Sequence, residues 1–158
     1  MNKLKILYIG EFPPPEGGIT LLVKCLADEL SIRERMELSF IDMVQPRKRA
    51  KGRIKLPKIM DNFLAMVIFM IRVLFKIKCC ELITIHLPSN KIWSHGLYAL
   101  ITAKLFGRKI IVRKFAGTDI NSFNPLMRKI TKLVLRRSDA YLCETKYLVK
   151  IAEKDGIN

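Results

Sequence analysis

Two adjacent glycines, Gly17 and Gly18, follow a triple proline and precede an amphipathic run. Bare backbone amides in that position can approach a diphosphate at the favourable end of a helix dipole, or can simply make a tight turn. His86 closes an apolar run, where an imidazole either meets a ligand or makes a structural hydrogen bond. Gly117-Thr118-Asp119 forms a polar turn whose aspartate either binds a hydroxyl or bonds back to its own backbone. Arg113 and Lys114 alternate on a strand, so only one of them can face a given side. Gly10 with Gly17-Gly18 does not make G-x-G-x-x-G, and no Walker lysine follows, which disfavours a nicotinamide-binding domain or a P-loop nucleotidase. Cys25, Cys79, Cys80 and Cys143 form no C-x-x-C pair and no secretory signal precedes the first apolar run. Neither a zinc site nor a disulfide framework is suggested, and a reducing cytoplasm is the expected home. Cys79 and Cys80 read as two small buried residues ahead of a strand.

These residues need a scaffold. The 158 residues, half of them hydrophobic and 27% charged, suffice for one sizeable core and one domain spanning residues 1–158. Leu4 to Ile9 is apolar on both faces from Ile6 onward, as a covered parallel strand would be. Ile19, Leu22, Val23, Leu26 and Leu30 recur at helical spacing, and Leu38 to Met43 reads as a second strand. A long apolar helix is expected from about Pro57 to Ile77, then strand Leu82 to His86, helix Ser94 to Phe106 closed by Gly107, and strand Lys109 to Phe115. Asn124-Pro125 offers an N-cap followed by proline at the first helical position. Ala140 to Cys143 is a further strand, and Thr145 caps a last helix ending at Gly156. Strands alternating with helices imply an α/β, doubly wound, mostly parallel Rossmann-like sheet. Ligands then belong beyond the carboxyl ends of the strands, in the loops after Ile9, His86, Phe115 and Cys143.

With those elements in order, a resemblance becomes specific. Ile6-Leu7-Tyr8-Ile9 followed by Pro13-Pro14-Pro15-Glu16-Gly17-Gly18-Ile19 resembles the opening of retaining two-Rossmann-domain (GT-B, family-4-like) glycosyltransferases, a group including bacterial polysaccharide and glycolipid sugar transferases. Glu81 to Pro88 is similar to the family's strand ending in histidine, and Gly107 to Val112 to its next strand. Gly117-Thr118-Asp119 resembles the family's Gly-Ser-Asp turn, and Ser138-Asp139-Ala140 precedes a strand and a capped helix as it usually does. The likeness covers nearly the whole chain. It implies that this is the N-terminal, acceptor-side half of a GT-B fold, with a nucleotide-diphosphate sugar as donor and a glycan or lipid-linked acceptor. On that likeness Gly17 and Gly18 face the donor phosphates, His86, Thr118 and Asp119 line the cleft, and His86 and Asp119 are the catalytic candidates. Neither a cofactor nor a tightly bound metal is implied. Transfer of this kind rests mainly on stabilising the departing diphosphate, a task for amides and cations.

Two departures stand out. Many relatives place a histidine just before the Gly-Ser-Asp turn, where this chain has Phe115-Ala116. The family's second, nucleotide-sugar-binding domain is expected after Asn158, and its absence makes the chain either half of an enzyme completed by another polypeptide or an inactive fragment. A non-catalytic, membrane-associated partner of another transferase subunit is the alternative.

Charge supplies a second line. The net charge is +15, and residues 44–80 hold ten basic side chains against one acidic, whereas residues 1–43 hold five against seven. Such a field attracts polyanions. Nucleic acid is disfavoured because no aromatic residue interleaves the basic stretch and no zinc-finger or RRM-like pattern is present. Arg47, Lys48, Arg49, Lys51, Arg53 and Lys55 instead feed into the long apolar helix, whose charge-free core is too short to span a bilayer. On a helical wheel Lys58, Asp61, Asn62, Arg72 and Lys76 form one polar stripe interrupted by Ala65 and Phe69. Either that stripe is merely solvated, or Phe69 dips into an anionic membrane surface with Arg72, Lys76 and the preceding basic segment at the headgroups. The second reading gives a peripheral protein on the cytoplasmic face of the membrane.

Overall fold

A computed structural model describes residues 3–12, 36–43, 57–115, 123–143 and 145–157, together with residues 21, 24, 25, 28 and 29, which are helical. Five strands, β1 (Leu4–Gly10), β2 (Met36–Asp42), β3 (Leu82–Pro88), β4 (Lys109–Phe115) and β5 (Ala140–Leu142), form one sheet in the order β2-β1-β3-β4-β5. Every pair is parallel. From β1 the chain goes out to β2 on one side, then returns past it to β3, β4 and β5, which is the doubly wound pattern expected from the sequence.

Four helices of nine residues or more are described from end to end: α1 (Lys58–Ile77), α2 (Leu97–Leu105), α3 (Pro125–Arg137) and α4 (Lys146–Lys154). Their ends are where local chemistry puts them. The Asn124 side chain accepts from the Met127 N–H at 2.8 Å with Pro125 at the first helical position, and Thr145 accepts from the Leu148 N–H at 3.2 Å. Gly107 and Gly156 adopt φ of +64° and +65° after α2 and α4, a conformation in which a Cβ is costly.

Register assigns the two faces of the sheet different work. Leu7 pairs with Ile83 and Ile9 with Ile85, while Ile83 pairs with Ile110 and Ile85 with Val112. Those six residues are fully buried and share one core with Phe69, Val73 and Ile77 of α1, Ala99 and Ala103 of α2, and Val134 and Leu135 of α3. The opposite face carries Ile6, Tyr8, Thr84, His86, Ile111 and Arg113 in the alternating positions.

Three expectations change. Phe69 does not reach outward: it is 5% exposed, and its ring lies 4.8 Å from His95 and 6.1 Å from Tyr98. Phe69 shares its helical face with Val73 and Ile77, four and eight residues on, and that face closes the core. Lys76, assigned to headgroups, places its ammonium 2.8 Å from the Phe40 carbonyl of edge strand β2. A lysine there occupies a backbone acceptor that would otherwise be open to strand addition. Of the two adjacent cysteines only Cys80 is buried, its thiol donating to the Ile77 carbonyl at 3.3 Å, whereas Cys79 lies exposed in the turn after α1.

Candidate functional site

The crevice of such a sheet opens where neighbouring strands send their connections in opposite directions. Here that is between β1, which continues to β2, and β3, which continues to β4. Glu11 follows β1 and Lys91 ends a single helical turn, Ser89–Lys91, that follows β3; the two side chains form an ion pair at this switch point. Each is about a quarter to a third exposed, so the pair is accessible to an incoming anion. A π-helical turn, Ile92–Gly96, connects this corner to α2. It sets His95 beneath the pair, its Nδ1 3.0 Å from the Ser94 hydroxyl and its ring against Phe69. Burial, reinforced by Lys91 and partly offset by Glu11, lowers the His95 pKa to about 4. The imidazole is therefore neutral near pH 7.

A second group occupies the opposite sheet face. The Tyr8 and His86 rings stack at 4.4 Å with 15° between their planes, and Nε2 of His86 lies 3.0 Å from the Thr84 hydroxyl. Phe12 and Phe40 extend the cluster, 5.9 and 6.0 Å from the Tyr8 ring and edge-on to each other at 5.5 Å. Phe12 is held in turn by its backbone N–H, which donates to Asp42 at 3.3 Å, so the exit of β1 is tied to the end of β2. Arg113 pairs in register with His86. Burial first, and the Arg113 guanidinium second, lower the His86 pKa to about 3. Burial pushes the Tyr8 phenol well above its ordinary value, against the opposing pull of Arg113.

His86 is thus not the last residue of its strand. β3 continues through Leu87 and Pro88, which pair with Lys114 and Phe115, and this extra length draws the imidazole inside the sheet face, where it is 4% exposed. In this arrangement it holds Tyr8 and Thr84 in place. Gly17, Gly18, Thr118 and Asp119 lie outside the described residues, as do Arg47, Lys48, Arg49, Lys51, Arg53 and Lys55. Arg72 is exposed on α1.

Glu11, Lys91 and His95 were not singled out by residue type. The signal that finds them is positional: they lie in the segments that follow the two strands flanking the switch point. Asp139, quoted only as part of a motif, is a clamp. Its carboxylate accepts from the Ile110 N–H at 2.8 Å and from Lys104 at 2.9 Å. Burial raises its pKa, but these two partners outweigh that effect and hold it below the usual range. Among the described residues no group of three or more His, Cys, Asp or Glu could hold a metal ion. No protein-family model and no curated protein matches the chain.

Proposed function

We propose that this chain is the N-terminal, acceptor-side half of a retaining nucleotide-sugar glycosyltransferase that works on a glycan or lipid-linked acceptor at the cytoplasmic surface of a membrane. The observation that carries the reading is the switch point between β1 and β3, where Glu11 and Lys91 pair, together with the Gly17-Gly18 motif that follows β1 in the sequence. A departing nucleoside diphosphate gains negative charge as the glycosidic bond breaks, and preorganised cations and amides stabilise that charge most where water is thin. In this reading Lys91 exchanges Glu11 for a donor phosphate oxygen, and the Gly17 and Gly18 amides take the diphosphate from the other side. Asp119 and Thr118 bind sugar or acceptor hydroxyls. His86 acts from behind, fixing Tyr8 and the exit of β1. Among the described residues no helix is long and apolar enough to cross a membrane, which is compatible with peripheral attachment.

The test is transfer of radiolabelled sugar from a panel of UDP-, GDP- and ADP-sugars to a lipid extract by the complete enzyme, compared with Gly17→Val and Gly18→Val variants. Either substitution is expected to lower kcat/KM by about 100-fold with an unchanged melting temperature. Folded variants with unaltered kinetics would remove the loop from the site. Turnover that appears only when a second polypeptide is added, and that survives both glycine substitutions, would instead establish the chain as a non-catalytic partner subunit.

A further inference from the structure

The three helices α1, α2 and α3 form one layer, α1 packing against α2 and α2 against α3. Their inner sides fill the core; the outer side of such a layer is ordinarily polar. Here it is not. On α1, Ile71, Leu74 and Phe75 are exposed, Phe75 by 72%. On α2, Ile101 and Leu105 stand one turn apart, Leu105 at 78% exposed, and Leu133 is exposed on α3. The rotation of α1 is fixed on both flanks. Lys76 binds the Phe40 carbonyl of β2, and the Tyr98 hydroxyl of the connected α2 donates to the Met70 carbonyl at 3.0 Å. Leu74, one turn after Met70, therefore borders α2, and the exposed apolar residues of the two helices adjoin.

Between α2 and α3 this surface deepens into a groove of about 470 Å³ lined by Leu100, Ile101, Lys104, Leu105 and Arg137. Both helices run from the carboxyl edge of the sheet toward its amino edge. The groove, four residues before β4 and three before β5, thus opens far from the crevice described above. Scattered exposed apolar side chains are ordinary on a protein surface, but an adjoining set spread over three helices calls for an occupant.

Charge identifies that occupant. Residues 58–78, 97–108 and 125–137 contain eleven lysines and arginines and one acidic residue, Asp61. Arg72, Lys78 and Arg137 pair with no carboxylate among the described residues. Of the eleven, Lys104 and Lys132 are paired with Asp139 and Asp155, but a second copy of the chain would still set Arg72, Lys78 and Arg137 against cations of the same face. A nucleic acid would leave Ile71, Leu74, Ile101 and Leu105 facing hydrated phosphates with nothing apolar to cover them. A surface that is anionic outside and apolar just beneath satisfies both halves of the pattern.

We infer that the outer side of the α1–α2–α3 layer seats on a leaflet containing anionic phospholipid. Phe75, Leu74, Ile101 and Leu105 enter the acyl boundary, the groove admits an acyl chain, and Arg72, Lys78 and Arg137 meet headgroup phosphates. This deepens the membrane part of the proposed function and rests on that part alone, not on sugar transfer. Docked this way the strands lie along the leaflet, so the carboxyl edge opens sideways along the membrane surface.

The experiment is flotation of the whole chain with phosphatidylcholine vesicles, with and without phosphatidylglycerol. Three variants are compared: Phe75→Glu with Leu105→Glu, then Arg72→Gln with Lys78→Gln and Arg137→Gln, and finally glutamine at all six of Arg47, Lys48, Arg49, Lys51, Arg53 and Lys55. Binding is expected only with the anionic lipid. The glutamate pair is expected to weaken partitioning by about tenfold or more, the first glutamine set by a similar factor, and the 47–55 set by less. Wild-type partitioning by the folded glutamate pair, or complete loss in the 47–55 set alone, would overturn the inference. So would a concentration-dependent dimer in lipid-free sedimentation that the glutamate pair dissolves, since a second copy would then cover the face. If the glutamate pair fails to fold, the Arg72, Lys78 and Arg137 set decides. Flotation needs no donor sugar, so failure of transfer and failure of docking are read separately.

Discussion

A neutral imidazole stacked on a phenol inside a sheet leaves no room for a proton's charge, and that makes His86 a source of pH-dependent stability. Its pKa is about 3 when folded and 6.5 when free; the buried ring binds its proton only at a cost. The unfolded chain therefore takes up the proton first as pH falls below 6.5. The contribution of His86 is fully present above pH 6.5 and is lost progressively as pH falls toward 3. His95, lowered to about 4 by burial and Lys91, acts with the same sign over a similar range. Between pH 6 and 5, above the range where carboxylates titrate, each histidine is expected to remove about 1 kcal/mol from the unfolding free energy. Urea denaturation at closely spaced pH values measures this, and His86→Gln is expected to flatten the slope by about half. A wild-type free energy that does not change between pH 7 and 5 would mean that His86 is wet and protonates freely.

At the scale of elements, the π-helical turn Ile92–Gly96 is packed tightly at its last residue. A Cβ built on Gly96 would lie 3.3 Å from Ile92, 3.4 Å from Val134 of α3 and 3.5 Å from Leu87 of β3. Gly96→Val is expected to cost about 1–3 kcal/mol by overpacking, read as a lower urea midpoint; a neutral result would mean that α3 yields easily. Asn124→Ala, which removes the side-chain acceptor for Met127, is expected to cost about 1 kcal/mol without altering the groove. Such ends and strands were legible in the sequence because their signals are local: Asn124-Pro125, Thr145, Gly107 and Gly156 mark boundaries by their own chemistry. The π-turn was not, since Ile92 to Gly96 reads as ordinary helix until strand β3 fixes where the chain must re-enter the layer. Facing was the other gap. The apolar arc of α1 is wider than the stripe a sheet can cover, so the wheel could not say whether Phe69 or Phe75 turned inward. Nor could residue type reveal that β3 runs on to Pro88 and takes His86 off the edge, because strand length there is set by pairing with β4. Glu11 and Lys91 are eighty residues apart and meet only through the strand order.

The whole molecule carries 29 lysines and arginines against 14 acidic side chains, and compaction brings those like charges together. Against this stand the described ion pairs Lys91–Glu11, Lys104–Asp139 and Lys132–Asp155, all with partly exposed side chains. Exposed pairs contribute from nothing to about 1 kcal/mol each and are weakened by the same salt that relieves repulsion. The two effects oppose each other, and their relative size decides the sign. Fifteen unbalanced charges on a chain of 158 residues repel one another over many pairs, and a Debye length of about 30 Å at about 0.01 M salt leaves that repulsion in force. Stability is therefore expected to rise with sodium chloride from low ionic strength to about 0.5 M, with most of the gain complete once the Debye length falls below the spacing of neighbouring lysines and arginines. Replacing Arg72, Lys78 and Arg137 together with glutamine is expected to raise stability at low salt and to shrink the salt-dependent gain, because these cations repel their neighbours and pair with no described carboxylate. Thermal unfolding across a salt series measures both. A melting temperature that falls with added salt would show that ion pairing outweighs the net charge, and the one-signed helical layer would then be neutralised within the folded chain itself.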